Sequence, residues 1–237
     1  MNLRRADGPP LVIGHRGAAA RAPENTRASL EAAVAAGADL VEFDVGPDLR
    51  LAHSPQERPA DGLSLDDALA FLAPAGVGVH VDAKEPGYEA AILAALRRHG
   101  LEERAVVSTA FGSTTRRLAR LAPSLPRAIG YPHDRYRISR FSWPAALSRA
   151  GAGALRQAMP LRLPLLIRRS RANVLSLHHT LCSRAAVAAS HRAGAPVLAW
   201  TVNDPAGVRR LSEVGVDAIV SDDPEMAREV LGTLSRP

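Results

Sequence analysis

Short apolar runs alternate with amphipathic stretches along the whole 237-residue chain, and this alternation most narrows what the chain can fold into. Strands are expected at Leu11–Gly14, Leu40–Val45, Val77–Lys84, Ala105–Thr109, Arg127–Tyr131, Ala172–His178, Pro196–Val202 and Ala218–Ser221. Helical patterns separate them: one opened by Pro23-Glu24-Asn25-Thr26 and closed by Gly37, one behind the N-cap Ser64, then Tyr88–Arg98, Ser113–Leu121, Ser183–Ala193, Pro205–Val214 and Pro224–Leu231. A strand followed by a helix returns the chain to the start of the next strand, so the strands pair in parallel. About eight such units close into a parallel (β/α)8 TIM barrel. The competing α/β arrangement, an open doubly wound sheet, lacks its usual glycine-rich nucleotide fingerprint here. The expectation is one domain over residues 1–237, with a short insertion after the second strand between Leu49 and Gly62.

Barrel enzymes carry their chemistry at the C-terminal ends of the strands. In this sequence those ends hold His15 and Arg16, Glu42 and Asp44, Asp82 and Lys84, Ser108, His178 and His179, Trp200 and Asn203, and Asp222, whereas the opposite ends are largely apolar. Residues two apart in a strand share a face, which groups Glu42 with Asp44 and Asp82 with Lys84. Three converging carboxylates repel one another unless a positive charge sits among them. An oxygen-rich site for Mg²⁺ or Ca²⁺ answers that need; a salt-bridge network with Arg16 and Lys84 answers it without a metal. Imidazole is the side chain suited to proton transfer near neutral pH, so His15 and His53 can serve as general base and general acid. Arg16, beside His15, suits a phosphate oxygen. Together these groups describe an in-line displacement at phosphorus.

The formal charge of +6 rests almost entirely on arginine, and Lys84 is the sole lysine. That singles out position 84 as one that wants a compact ammonium. Between Pro132 and Arg171 run Arg135, Arg137, Arg140, Arg162, Arg168, Arg169 and Arg171, interleaved with Tyr136, Phe141 and Trp143. This segment reads either as a surface for peripheral membrane contact or as a long excursion with a solvated basic face. Net charge alone argues for nucleic acid, no recognised motif supports it, and none is expected as a partner. The single Cys182 excludes an internal disulfide and a cysteine-based zinc site. The polar start of the chain is followed by an apolar run too short for a signal or a membrane span, so a cytoplasmic protein is expected.

The ordered set His15-Arg16-Gly17, Pro23-Glu24-Asn25-Thr26, Val41-Glu42-Phe43-Asp44-Val45, His53, Val81-Asp82-Ala83-Lys84, Trp200-Thr201-Val202-Asn203 and Gly215 through Asp222 resembles the glycerophosphodiester phosphodiesterase family over nearly the whole chain. The resemblance implies a (β/α)8 barrel that hydrolyses glycerophosphodiesters to glycerol 3-phosphate and an alcohol with a divalent cation, Ca²⁺ or Mg²⁺. It implies His15 and His53 as the acid/base pair, Glu42, Asp44 and Asp82 as metal ligands, and Arg16 and Lys84 on the phosphate. Trp200 would wall the glycerol or simply pack at the barrel rim, His178 and Asn203 are weaker candidates, and Asn25 would fix its loop. The sequence departs from the family pattern in having Asp82 where glutamate is usual, Ser54 after His53 where aspartate is usual, and an abbreviated insertion. Two other readings share the barrel: a phospholipase D-like or phosphoinositide-cleaving lipid phosphodiesterase, and a catalytically silent phosphodiester binder.

Overall fold

Strands β1 (Leu11–Gly14), β2 (Leu40–Val45), β3 (Gly78–Ala83), β4 (Ala105–Thr109), β5 (Arg127–Tyr131), β6 (Val174–His178), β7 (Val197–Trp200) and β8 (Ala218–Ser221) pair in parallel, each with the next. β1 also pairs with β8, which closes the barrel. The computed structural model describes residues 1, 3–5, 8–54, 62–132 and 145–234, with side chains from 153 onward in the last stretch. Helices α1 (Arg27–Ala35), α2 (Leu65–Leu72), α3 (Glu89–Arg98), α4 (Gly112–Leu121), α5 (Ala145–Ser170), α6 (Arg184–Arg192), α7 (Pro205–Val214) and α8 (Pro224–Leu234) alternate with the strands. Local chemistry starts several of them: Thr26 and Ser29 form a reciprocal capping box on α1, and Ser64, Ser183 and Asp204 accept from backbone N–H groups of α2, α6 and α7.

The period-2 phase of each strand divides the molecule into two apolar regions and one polar mouth. Val41, Phe43, Val45, Val79 and Val81 point outward and pack with α1 to α3, while Leu175, Leu177, Val197, Ala199 and Ile219 do the same against the later helices. The alternate positions fill the barrel, where Ile13, Leu40, Val106, Ala128, Val174, Leu198 and Ala218 form an apolar plug with Leu3 beneath it. One step higher on the same faces the residues turn polar: Glu42 and Asp44 above Leu40, Ser108 above Val106, Ser176 above Val174. At the opposite rim Asp39 accepts from Val12 N–H at 2.7 Å, and Asp217 accepts from Val197 N–H and contacts His191 Nε2, both at 2.7 Å. Those acids tie strand starts together.

Several strands are shorter than the sequence pattern suggests. Val77 and Lys84 lie outside β3, β6 begins at Val174 rather than Ala172, and β7 spans only Val197–Trp200, although Lys84, Asn173 and Val202 still donate one backbone bond each to the neighbouring strand, at 3.1, 3.2 and 2.9 Å. The larger departure is α5, a 26-residue helix containing Pro160 and Pro164. Its prolines mask it in the sequence, since each removes a backbone donor. Met159, Leu163 and Ile167, at i, i+4 spacing, are buried and hold it to the barrel wall. The candidate membrane residues Arg135, Tyr136, Arg137, Arg140, Phe141 and Trp143 lie outside the described residues. After β2 the chain makes antiparallel bridges at Val45 with Leu51 and Arg50 with Ser64, which bracket the short insertion. Among the described residues no helix is long and apolar enough to cross a membrane.

Candidate active site

The loop from β1 to α1 builds the first wall. His15 N–H donates to Ser221 O at 2.8 Å, carrying the β1–β8 ladder one residue past the strand. Arg16 then adopts φ +49° and Gly17 φ +84°, reversing the chain so tightly that a Cβ on Gly17 would sit 2.4 Å from the Ser29 carbonyl carbon. The turn is fastened to β2: Arg16 N–H donates to Glu42 Oε2 at 2.7 Å and Gly17 N–H to Glu42 O at 2.9 Å. Asn25, at φ +59°, fastens it again, donating from Nδ2 to Asp44 Oδ2 at 3.2 Å and accepting from Asp44 N–H at 2.9 Å.

Strand register assembles the acids. Asp44 of β2 is paired with Asp82 of β3, and Asp82 with Ser108 of β4. Glu42, Asp44 and Asp82 each place an oxygen within 4.8 Å of the others. Lys84 reaches back from beyond β3, with Nζ 2.5 Å from Asp44 Oδ1 and 2.6 Å from Asp82 Oδ2. Burial works to raise the Asp44 pKa, but His53, Lys84 and Arg16 outweigh it and hold the carboxyl below its usual range. Burial, reinforced by the Asp44 charge, pushes Glu42 up to about 8. Arg16 and Lys84 thus hold Asp44 and Asp82 ionised, and Glu42 is the acid that keeps its proton without a further positive charge. Three carboxylate donors at this spacing, one of them protonated for want of a positive charge, fit a hard divalent cation. Beneath them Ser108 Oγ donates to Asp82 Oδ1 at 2.5 Å and faces His80 Nε2 at 2.8 Å. His80 is buried, its pKa is pushed down to about 4 by burial, and its Nδ1 has no hydrogen-bond partner among the described residues.

Each of the two candidate imidazoles is held at Nδ1. His15 Nδ1 lies 2.5 Å from Asp222 Oδ1, while Asn203 steadies Asp222 by donating to its other oxygen and accepting from its backbone N–H at 2.9 Å. Burial works to lower the His15 pKa, but Asp222 and Glu42 prevail and raise it. His53 Nδ1 lies 3.1 Å from Asp44 Oδ2 and 2.8 Å from Arg16 Nη2. Protonated, that nitrogen donates to Asp44; unprotonated, it accepts from Arg16. Arg16 also donates to Glu24 at 2.6 Å, and its Nε lies 3.0 Å from Asp44, an ion-pair contact rather than an aligned hydrogen bond.

His15, Arg16, Glu42, Asp44, His53, Asp82, Lys84 and Trp200 all line one cavity of about 270 Å³. The principal candidates for catalysis, substrate and metal are thus brought to one mouth, and of the weaker ones Asn203 lies behind it on Asp222. Trp200 is half-buried, meets His178 edge to face at 5.1 Å between ring centroids, and has a buried Nε1 with no hydrogen-bond partner among the described residues. His178 itself is bonded to Thr180 and is not part of the cavity wall. Sequence reasoning missed the pairing of Asp222 with His15 and the His80–Ser108–Asp82 chain. The first carries a weak signal, an aspartate just past a strand end; the second carries none, because His80 sits inside an apolar strand.

A closed parallel barrel whose C-terminal mouth gathers three acids, two cations and two imidazoles is a (β/α)8 enzyme with a built site. The pattern described as the glycerophosphoryl diester phosphodiesterase family matches residues 15–46 and 77–226. The chain belongs to that family and is a phosphoric diester hydrolase. The Bacillus subtilis protein YhdW is 26% identical over 90% of this chain and 95% of its own length. A glycerophosphodiester phosphodiesterase of Caldanaerobacter subterraneus subsp. tengcongensis is 24% identical over 91% of this chain and 95% of its own. Among solved structures, an Oleispira antarctica phosphodiesterase in complex with the product sn-glycerol-3-phosphate superposes with a TM-score of 0.72, at 22% identity over 94% of this chain and 97% of its own.

Proposed function

We propose that the chain, a single domain over residues 1–237 acting in the cytoplasm, hydrolyses glycerophosphodiesters to glycerol 3-phosphate and an alcohol. The observation that carries this reading is the convergence of His15 and His53, each held at Nδ1 by a carboxylate, on the cavity that also contains Glu42, Asp44 and Asp82. The product bound in the Oleispira antarctica structure supports the substrate class.

Glu42, Asp44 and Asp82 would hold a Ca²⁺ or Mg²⁺ ion. When bound, it neutralises charge on the phosphoryl oxygens. Arg16 and Lys84 bind and orient the phosphate, and both must loosen their carboxylate partners to do so. Trp200 gives the glycerol an apolar wall. With Nδ1 protonated and donated to a carboxylate, which for His53 requires Arg16 to leave that nitrogen for the phosphate, each histidine keeps Nε2 for proton transfer. One takes the proton of the attacking hydroxyl, from water or from the substrate's own glycerol 2-position, and the other returns a proton to the leaving alkoxide.

The test is turnover of glycerophosphocholine against glycerophospho-p-nitrophenol. A variant lacking the general acid loses the choline ester but keeps much of its rate on the p-nitrophenyl ester, whose leaving group needs no proton. Equal losses on both esters in His15→Ala and in His53→Ala would remove the acid role from both residues. Retained wild-type rates would remove them from the reaction.

A further inference from the structure

Charge falls along this chain in two blocks. Residues 104–203 carry 16 of the 30 basic side chains and one of the 24 acids, Asp134, so a formal charge of +6 divides into a strongly basic stretch and an acidic remainder. That stretch supplies α4, α5 and α6, consecutive helices of the barrel's outer layer. Thr115 Oγ1 of α4 donates to Ser170 O at the end of α5 at 2.8 Å, and Arg156 Nη2 of α5 to Cys182 O, just before α6, at 3.2 Å. None of the three contains an acid, whereas every other helix does. Arg120, Arg162, Arg168, Arg169 and Arg184 are exposed on them, and of their described arginines only Arg117 reaches a carboxylate, Glu89 at 3.4 Å. Across the molecule Arg27 and Arg228 are paired, with Glu31 and Asp39, each at 2.8 Å.

The same face carries apolar side chains in water. Residues two apart on a helix point nearly opposite ways, so the buried Met159, Leu163 and Ile167 turn Leu161 and Leu165 outward, 85% and 47% exposed. Arg168 returns to the face of Leu161, and Arg162 and Arg169 flank it. Leu121, at the end of α4, is also exposed, so three of the five large apolar side chains exposed among the described residues lie on this part of the surface. A basic face built only for water has no use for outward leucines, and one built for nucleic acid adds stacking aromatics to its cations. Guanidinium groups around aliphatic side chains match a lipid surface, where the cations meet phosphates and the leucines enter the layer beneath. We propose that the α4–α5–α6 face binds an anionic phospholipid bilayer, with Leu161 and Leu165 as its anchors. None of these residues lines the catalytic cavity, so the proposal goes beyond the hydrolytic reading and does not depend on it.

The experiment is co-sedimentation of the full chain with vesicles of equal parts phosphatidylglycerol and phosphatidylcholine, set against vesicles of phosphatidylcholine alone. The expected result is binding to the anionic vesicles that weakens as salt is added, and none to the neutral ones. Arg162→Gln and Arg168→Gln should each weaken binding roughly 5-fold. The double variant Leu161→Ala, Leu165→Ala should weaken it roughly 10-fold or more. All of these positions are exposed, so thermal unfolding should show the wild-type Tm. Arg27→Gln and Arg228→Gln, on the opposite side, should leave binding unchanged. Failure to bind the anionic vesicles overturns the proposal. So does an equal loss in Arg27→Gln and Arg228→Gln, which would make the attraction one of net charge rather than of this face. Duplex DNA bound more tightly than the anionic vesicles, with no loss in the leucine variant, overturns it in favour of nucleic acid. Binding needs no turnover, so a failure to hydrolyse glycerophosphocholine would remove the hydrolytic reading and leave this one standing.

Discussion

The two histidines share a device but differ in their partners. His15 leans on Asp222, an acid fixed by Asn203, whereas His53 shares Asp44 with Arg16, Lys84 and Asn25. His15→Ala and His53→Ala should each lower kcat by roughly 10²-fold or more, measured at saturating substrate. Asp222→Asn keeps the shape but removes the charge that helps raise the His15 pKa. The limb of the pH–rate profile that belongs to His15 should therefore move to lower pH, with KM little altered. The same pair carries a stability signature. The folded pKa of His15 stands above its ordinary 6.5, so its contribution is complete below that value and is lost as pH rises through the folded value. The pKa of Asp222 stands below its ordinary 3.8, so its contribution is lost as pH falls through the folded value. Asp222→Asn should accordingly lower Tm most near pH 5 and least in alkali.

Two elements, the β1–α1 turn and the β2–β3 pair, set the geometry those side chains need. The turn is made by backbone: Arg16, Gly17 and Asn25 all have positive φ, and Ser29 Oγ donates to Arg16 O at 2.9 Å. Gly17→Ala meets both a disfavoured φ and the Ser29 backbone at 2.4 Å, and should cost at least about 1 kcal/mol. For a chain of this length that is a fall in Tm of about 2–4 °C, read by thermal unfolding, together with loss of activity. The β2–β3 register sets Asp44 beside Asp82. A slip of one residue would turn Glu42 and Asp44 into the helix layer, so the apolar plug and the acidic mouth are specified by one alternation.

Closure of the whole barrel turns these elements into a site, and an ion held by β2 and β3 would add to its stability. At a cation concentration of 100 times Kd the gain is about 2.7 kcal/mol, so Ca²⁺ or Mg²⁺ should raise Tm by about 5–10 °C and a chelator should reverse the shift and the activity. Asp82→Ala should abolish both the shift and calorimetric uptake of the ion. Much of this architecture is written locally. Strand and helix periods fix the parallel barrel, and the phase of Leu40, Glu42 and Asp44 fixes which carboxylates face inward, because period and phase depend only on neighbours along the chain. What the sequence cannot carry is proximity across the closure. His15 and Asp222 are 207 residues apart and meet because β1 pairs with β8. The acid-free face over α4, α5 and α6 exists because a proline-containing helix packs where its buried stripe, rather than its composition, directs it. Contacts of that kind follow from the closed geometry of eight strands, so only the tertiary structure decides them.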